Sequence, residues 1–298
     1  MKIALTGGSG FIGTALTRKL VKEGHEVIVY DRIAPKVTDP LVSFVSVNLA
    51  EDGAPESLAQ VDAIVHLAGV SIYNRWTESY KKLILSSRKA STQSIVEVCR
   101  RFERKPQVLV CASAVGYYGD QGDTIIREDA NAGNDFLAEV CKVWEYEASQ
   151  IESLGIRRVS IRTAIVLGPG GGMMSQLVPL FKWGFGGRLG TGRQWFSWIH
   201  IDDLVNIYYQ AIMNRELSGP VNASAPEPVT NRQFTKELGR ALNRPAFWIV
   251  PAWVLRIMLG EFVRAVLGST RVVPAKLLDQ GFVFTYPTIG EALRGMFK

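Results

Sequence analysis

The chain begins with an apolar run, Ile3, Ala4 and Leu5, that breaks into a loop carrying Gly7, Gly10 and Gly13 at three-residue spacing. Ile12, Leu16 and Leu20 then follow at helical spacing, Gly24 ends the helix, and Val27, Ile28 and Val29 form a second apolar strand. Strand, glycine loop, helix and strand make a β-α-β unit. Such a loop brings backbone N–H groups to a helix N-terminus, where the helix dipole favours a pyrophosphate. The three glycines divide the work between a tight turn, close approach to phosphate, and close packing of helix on strand. A lone glycine triplet is also compatible with a flexible surface loop. Here the flanking strand and helix supply the context that a dinucleotide site requires.

At 298 residues the chain is long enough for one large α/β domain with an appended lobe. Hydrophobic and charged fractions of 47% and 21% describe an ordinary folded protein. The net charge of +6 comes from scattered Lys and Arg without a block of like charge, so no nucleic-acid partner is expected. A slight basic balance suits phosphorylated or carboxylated ligands. Three distant cysteines, Cys99, Cys111 and Cys141, fit neither a disulfide framework nor a metal cluster. Buried thiols in a reducing compartment are expected instead. The N-terminus starts directly as a core strand, and no apolar run has the length of a membrane span. A cytoplasmic location is expected.

Short branched strands recur at Val42–Val47, Ala63–Leu67, Val108–Ala112 and Arg158–Ile161, alternating with helices over roughly 77–101 and 136–150. The first helix is expected to bury Leu83, Ile84, Ile95 and Val96, the second Leu137, Val140, Cys141, Trp144 and Ala148. This alternation predicts a Rossmann-type, doubly wound parallel sheet with a smaller, mainly helical C-terminal lobe. Residues 1–168, with 195–223 returning to them, are read as the dinucleotide-binding domain, and 169–194 with 224–298 as the substrate-side lobe. The stretch from Gly168 to Gly192 interleaves glycine with Met173, Met174, Phe181, Trp183 and Phe185. It reads as a mobile segment that closes over a ligand. The most apolar part of the tail, Ala252–Leu267, places Arg256, Glu261 and Arg264 on one side of a helix. Core packing is the expected use of its apolar arc, with a dimer or membrane-surface face as the alternative.

Asp31 ends the second strand, where a carboxylate accepts hydrogen bonds from the adenosine ribose of NAD. Arg32 and Lys36, close by, suit a 2′-phosphate and hence NADP, although Asp31 opposes that charge. Asn48, Leu49, Leu67, Ala68 and Gly69 lie at strand carboxyl ends, along the crevice where open α/β sheets bind ligands. Gly69 is expected to let the cofactor approach the backbone, and the loop 69–76 to face substrate. Ser113 follows the fifth strand at the same edge, with Tyr117 and Tyr118 just beyond.

These motifs resemble an extended short-chain dehydrogenase/reductase of the nucleotide-sugar epimerase type. Thr-Gly-Gly-Ser-Gly-Phe-Ile-Gly (6–13), Val-His-Leu-Ala-Gly (65–69), Ala-Ser-Ala-Val-Gly-Tyr-Tyr-Gly (112–119), Arg-Thr-Ala-Ile-Val-Leu-Gly-Pro (162–169) and Trp-Ile-His-Ile-Asp-Asp-Leu (198–204) fall in family order. Arg-Trp-Thr-Glu (75–78), Ser-Ser-Arg (86–88), Gly-Thr-Gly-Arg-Gln-Trp (190–195) and the tail over 274–284 are similar to the atypical branch called epimerase family proteins, the SDR39U1-like group. The resemblance covers essentially the whole chain. It implies a bound NAD(P), with a lean towards NADP(H), held by Gly7, Ser9, Gly10, Phe11, Ile12 and Gly13. It further implies that Arg88 contacts the cofactor and that the backbone around Ile165 lies near the nicotinamide.

One departure limits what the resemblance carries over. Short-chain dehydrogenases use a Tyr acid/base with a Lys four residues later. None of the nine tyrosines here has that lysine, and the corresponding helix reads Phe136-Leu-Ala-Glu-Val-Cys-Lys142, with Ala138 four residues before Lys142. Ser113 and Tyr118 are the candidate substitutes, with Tyr117 as an alternative phenol and Lys142 as a group that could reach the cofactor. Epimerases of this type usually carry Asn in the segment that here ends at Ile165, which weakens a sugar-nucleotide assignment. His200 reads as the end of a short strand, with Asp202 or Asp203 capping the next helix. Too few groups converge for a metal site or a Ser-His-Asp triad. The expected function is an NAD(P)-dependent, epimerase-like oxidoreductase for a small polar or carbohydrate-derived substrate, with a possible homodimer. The rival is a sensor or scaffold that holds NAD(P) without turnover.

Overall fold

Short strands buried on both faces build the centre of the molecule, a seven-stranded, all-parallel sheet. The computed structural model describes residues 1–297. Its strands are β1 (Lys2–Thr6), β2 (Glu26–Asp31), β3 (Val42–Ser46), β4 (Ala63–His66), β5 (Val108–Ala114), β6 (Arg157–Thr163) and β7 (Gly219–Ala223). They lie in the order β3-β2-β1-β4-β5-β6-β7. The chain therefore winds outward from β1 in one direction and from β4 in the other, leaving a crevice between the carboxyl ends of β1 and β4.

Alternate residues of each strand feed two cores. Ile3, Leu5, Val27, Val29, Val108 and Val110 pack with Leu16 and Leu20 of helix α1 (Phe11–Lys22). Ala4, Ile28, Tyr30, Leu109 and Cys111 face the other way, against α2 (Glu78–Arg101) and α3 (Phe136–Ser149). Each fully buried Leu, Ile or Val contributes about 1.5–3 kcal/mol relative to exposure. Near-continuous hydrophobicity in these strands follows from burial on both faces. Within α2, Ile84, Ile95 and Val96 are buried as expected, but Leu83 is exposed, because the inward stripe runs through Ser91, Thr92 and Cys99 instead.

Helix starts separate into two kinds. Thr77 and Asp135 cap α2 and α3 by accepting from the backbone N–H of Tyr80 and Ala138. Gly10, at the start of α1, offers no side-chain cap. The first-turn amides of Phe11, Ile12 and Gly13 thus keep their donor capacity. Gly13 is also where α1 meets the loop, since a Cβ there would lie 2.4 Å from the Gly7 carbonyl oxygen. Only glycine permits that approach.

The segment after Gly168 is a built element rather than the mobile loop anticipated. It holds α4 (Met174–Lys182), which buries Met174 and Phe181, and a strand Gly187–Leu189 that pairs in parallel with Trp248–Val250. Helix α5 (Ile201–Met213) returns to the sheet, and α6 (Asn231–Ala241) packs in the lobe core with Trp198, Phe196 and Leu293. The apolar tail also departs from expectation. It divides into α7 (Ala252–Leu259) and α8 (Val263–Leu267), separated by a turn at Gly260, whose φ is 60°. Only Leu255 and Val263 are buried there, while Trp253, Ile257 and Met258 face outward, so this arc is not a core-packing face. No helix among the described residues is long and apolar enough to cross a membrane.

The tail is tied to α5 through Asp203, which is 1% exposed and accepts from the backbone N–H groups of Thr285 (2.7 Å) and Tyr286 (3.0 Å). Removing the carboxylate orphans two donors. Asp203→Ala is expected to lower unfolding free energy by about 2–4 kcal/mol, whereas Asp203→Asn, which keeps one acceptor oxygen, loses less. Denaturant unfolding of the two variants checks this, and identical midpoints would contradict the anchoring role.

Candidate active site

The glycine loop is fastened from two sides. Gly7, with φ of 70°, donates to the Tyr30 carbonyl (3.1 Å), and Asp31 accepts from the Ser9 backbone N–H (3.0 Å). The Ser9 hydroxyl donates to the Ile33 carbonyl. The second Asp31 oxygen accepts from the Arg32 N–H (2.7 Å). Both carboxylate oxygens therefore already serve the protein, while Arg32 is exposed beside them. Lys36 and Arg18 line a cavity of about 480 Å³ that also takes in Gly10, Phe11 and Gly170. Phe11 reaches across to the lobe, where a Cβ on Gly171 would stand 2.1 Å from its ring.

Beneath the loop lies a buried polar relay. The Thr6 hydroxyl is 2.7 Å from His66 Nδ1, and the Thr92 hydroxyl is 3.1 Å from His66 Nε2. Thr6 also accepts from the Ala68 N–H (3.3 Å). These bonds set the carboxyl ends of β1 and β4 at fixed spacing. Burial, reinforced by the Arg88 charge, pulls the His66 pKa down to about 3, so the ring is neutral in the folded protein.

Arg88 extends from α2 to the crevice, donating to the carbonyls of Val70 (3.0 Å) and Ile84 (3.1 Å) with its guanidinium 4.9 Å from the Trp144 ring. It makes no ion pair among the described residues, and burial lowers its pKa. A half-buried cation without an ion pair at a sheet's ligand edge is suited to an anionic or hydroxyl-bearing ligand. A Cβ on Gly69 would lie 3.2 Å from the guanidinium carbon, so this glycine packs closely under the arginine. Asn48 is partly exposed, but Leu49 is buried with its carbonyl accepting from Ser94 (3.1 Å), so its side chain belongs to the core. Leu67 donates its N–H to the Thr6 carbonyl (3.1 Å). Ile165 leaves β6 at the crevice and donates its N–H to Ser197 (3.1 Å).

At the carboxyl ends of β5 and β6 a second network forms. Ser113 Oγ donates to Glu145 (2.7 Å), and Arg162 grips the same carboxylate through Nε (2.8 Å) and Nη2 (2.9 Å). Arg162 Nη1 donates to the Tyr118 hydroxyl (2.9 Å), which donates to Asn222 (2.7 Å). Burial works against the Arg162 charge, but the Glu145 bonds outweigh it and raise its pKa. Tyr118 is wholly buried and its phenol is pushed up to about 12 by desolvation. Both sides of the Tyr118 hydroxyl are engaged and none of it is exposed, an arrangement unsuited to the acid expected there. Tyr117 is only partly buried and stacks on Arg162, with 3.5 Å between the guanidinium carbon and the ring centroid. Lys142 is exposed and directed to the Gly133 carbonyl (3.4 Å). Cys141, one residue earlier, occupies the inward face with its sulfur 3.7 Å from the Ala114 carbonyl. Burial raises its thiol to about 11, so it stays protonated.

Glu145 and Arg162 were not among the site residues expected from the sequence. One signal pointed to Glu145, which continues the Leu137–Cys141 stripe at four-residue spacing, and Arg162 opens the 162–169 motif. The cap at α5 is His200 itself, whose Nδ1 accepts from the Asp202 N–H (3.2 Å), with its ring centroid 3.9 Å from that of Tyr286. Asp203 is removed from capping by its duty to the tail. No cluster of three metal-ligating side chains exists among the described residues.

Residues 3–223 match the NAD dependent epimerase/dehydratase family, and residues 250–296 match a domain of unknown function, DUF1731. The chain is 40% identical over 295 residues to the epimerase family protein YfhF of Bacillus subtilis, covering 98% of this chain and 97% of that protein. It is 38% identical over 303 residues to the chloroplastic SDR39U1 homolog of Arabidopsis thaliana, covering 100% and 87%. The crystal structure of human epimerase family protein SDR39U1 with NADPH superposes with a TM-score of 0.88 at 33% identity, covering 99% of both chains. A nucleoside-diphosphate sugar epimerase from Corynebacterium glutamicum gives 0.81 at 36% identity, and this chain spans 58% of that one.

The neutral His66 has a measurable consequence. In the unfolded chain the imidazole takes a proton below its ordinary value of 6.5, while the folded protein resists until about 3. Stability is therefore expected to fall as pH drops through this window, by about 3 kcal/mol at about pH 4. A His66→Gln variant should show a shallower loss over the same range in denaturant titrations, and an unchanged slope would exclude His66 as its source.

Proposed function

Because the chain belongs to the NAD dependent epimerase/dehydratase family, in the branch of the SDR39U1 homologs, we propose that it is an NADP(H)-using oxidoreductase for a sugar-derived or nucleotide-sugar substrate. The observation that carries this reading is the uncapped start of α1 against the Gly7–Gly13 loop. Its free amides suit a pyrophosphate. Ser9, Gly10, Phe11, Ile12 and Gly13 would supply that cradle, with Asn48, Leu67, Ala68 and Ile165 lining the rest of the crevice.

The Asp31 carboxylate is turned towards the loop by Ser9, which removes much of its opposition to a 2′-phosphate. Arg32 is proposed to hold that phosphate, with Lys36 adding charge. NADPH bound to the human relative is in keeping with this choice. Bound in this crevice, the nicotinamide would supply hydride chemistry. The protein's share falls to Ser113 and Arg88. Ser113, its own proton committed to Glu145, is proposed to accept a hydrogen bond from a substrate hydroxyl, while Arg88 stabilises negative charge at the same edge.

One observation favours a second reading. Lys142 is held by the Gly133 carbonyl and Tyr118 is buried, so these two form no exposed Tyr–Lys pair in the crevice. A protein that binds NADP(H) and senses it without turnover would need none.

Two measurements test these readings. Arg32→Ala is expected to weaken NADPH binding by about tenfold or more with little change for NADH, as loss of a charge-assisted hydrogen bond requires. Equal effects on the two cofactors would contradict the assignment. Nicotinamide absorbance followed across a panel of carbonyl compounds and sugar nucleotides is expected to reveal turnover. Ser113→Ala should reduce it by about a hundredfold or more. Tight NADPH binding without turnover on any of them would favour the sensor.

A further inference from the structure

The lobe carries an apolar face that the cofactor crevice does not use. Trp183, Phe185, Phe247, Trp248, Ile249, Trp253, Ile257 and Met258 are all exposed, with Trp183, Ile257 and Met258 at 75%, 71% and 68%. Three of the seven tryptophans of the chain stand in this set, although burial is the ordinary fate of so large an apolar side chain. Hydrogen bonds hold the two segments together. The Trp248 indole donates to the Gly184 carbonyl (3.0 Å), Arg244 Nε donates to the Lys182 carbonyl (3.1 Å), and strand Trp248–Val250 pairs with Gly187–Leu189. Pro251 then leads directly into α7, where Trp253 and Ile257 lie one turn apart on the side opposite the buried Leu255.

Charge distinguishes the occupants such a face would accept. Residues 180–188 and 244–258 contain four cations, Lys182, Arg188, Arg244 and Arg256, and no acid. None of the four is ion-paired among the described residues. A twofold dimer through this face would set the patch against itself, opposing like charges. Exposed tryptophans and aliphatic side chains among unpaired Lys and Arg match instead the boundary of an anionic bilayer, where indoles settle at headgroup level. Basic residues there draw the protein to acidic headgroups.

We propose that the face formed by residues 180–188 and 244–258 docks the protein on the surface of an anionic lipid bilayer, without crossing it. The test uses the full chain with vesicles of phosphatidylcholine alone and of phosphatidylcholine mixed with phosphatidylglycerol. Co-sedimentation is expected with the mixed vesicles only, accompanied by a blue shift of tryptophan emission. Affinity should fall by about tenfold or more when salt is raised from low to several times physiological strength. The double variant Trp253→Glu/Ile257→Glu should lose binding while keeping the wild-type unfolding midpoint. Lys182→Glu/Arg256→Glu provides a second variant that leaves the aromatic residues intact, and it should lose binding as well. No sedimentation with the mixed vesicles, or equal sedimentation with neutral ones, overturns the proposal. So does a wild-type dimer that the Trp253→Glu/Ile257→Glu change converts to monomer without any vesicle binding, since that assigns the face to a second copy.

Discussion

The ion pair between Glu145 and Arg162 is the interaction on which the site depends. It joins α3 to β6 and, through Tyr118 and Asn222, to β7, the last strand of the sheet. Asn222 donates in turn to Val273 of the tail at 3.0 Å. Taking both charges out of water costs several kcal/mol per ion, and only excellent geometry offsets it. The two-point grip of guanidinium on carboxylate, with Ser113 and Tyr118 filling further positions, supplies that geometry. The same bonds explain why Ser113 stands at the crevice with a fixed direction and why Tyr118 has lost the freedom of an acid.

On the other side of the crevice the organising contact is between backbones. Gly13 brings α1 against the loop, and the Ser9–Asp31 bond holds the loop to the end of β2. His66, kept neutral beneath it, spaces β1 and β4 without adding charge. The positive potential at this edge then comes from the first-turn amides and from Arg88, whose guanidinium bonds only carbonyls. A site with this distribution favours an anionic cofactor by electrostatics already in place, which spares reorganisation when the ligand enters.

Much of the fold was legible because its causes are local. Glycine spacing after Leu5, helical spacing of Ile12, Leu16 and Leu20, and apolar strands buried on both faces led directly to the parallel sheet. The Gly168–Gly192 stretch was less legible. Glycine content suggested mobility, but burial of Met174 and Phe181 and pairing with Trp248–Val250 made it part of the lobe. The arc at 252–267 misled in the opposite sense. Its hydrophobicity resembles that of a core helix, yet the break at Gly260 and the position at the rim leave Trp253, Ile257 and Met258 uncovered.

The sequence by itself determined the β-α-β start, the strand alternation, the absence of a Tyr–Lys pair and the presence of candidate groups at the sheet edge. Each of these depends on neighbours within a few residues, where period and spacing carry the information. Only the tertiary structure decided what those groups do. It showed Tyr118 bonded to a residue 104 positions away, Ser113 to one 32 positions away, and Lys142 held by the Gly133 carbonyl while Cys141 faces inward. Hydrogen-bond partners, burial and the pKa values that follow from them are set by contacts across the sheet, and no local pattern along the chain encodes which side chain will meet which.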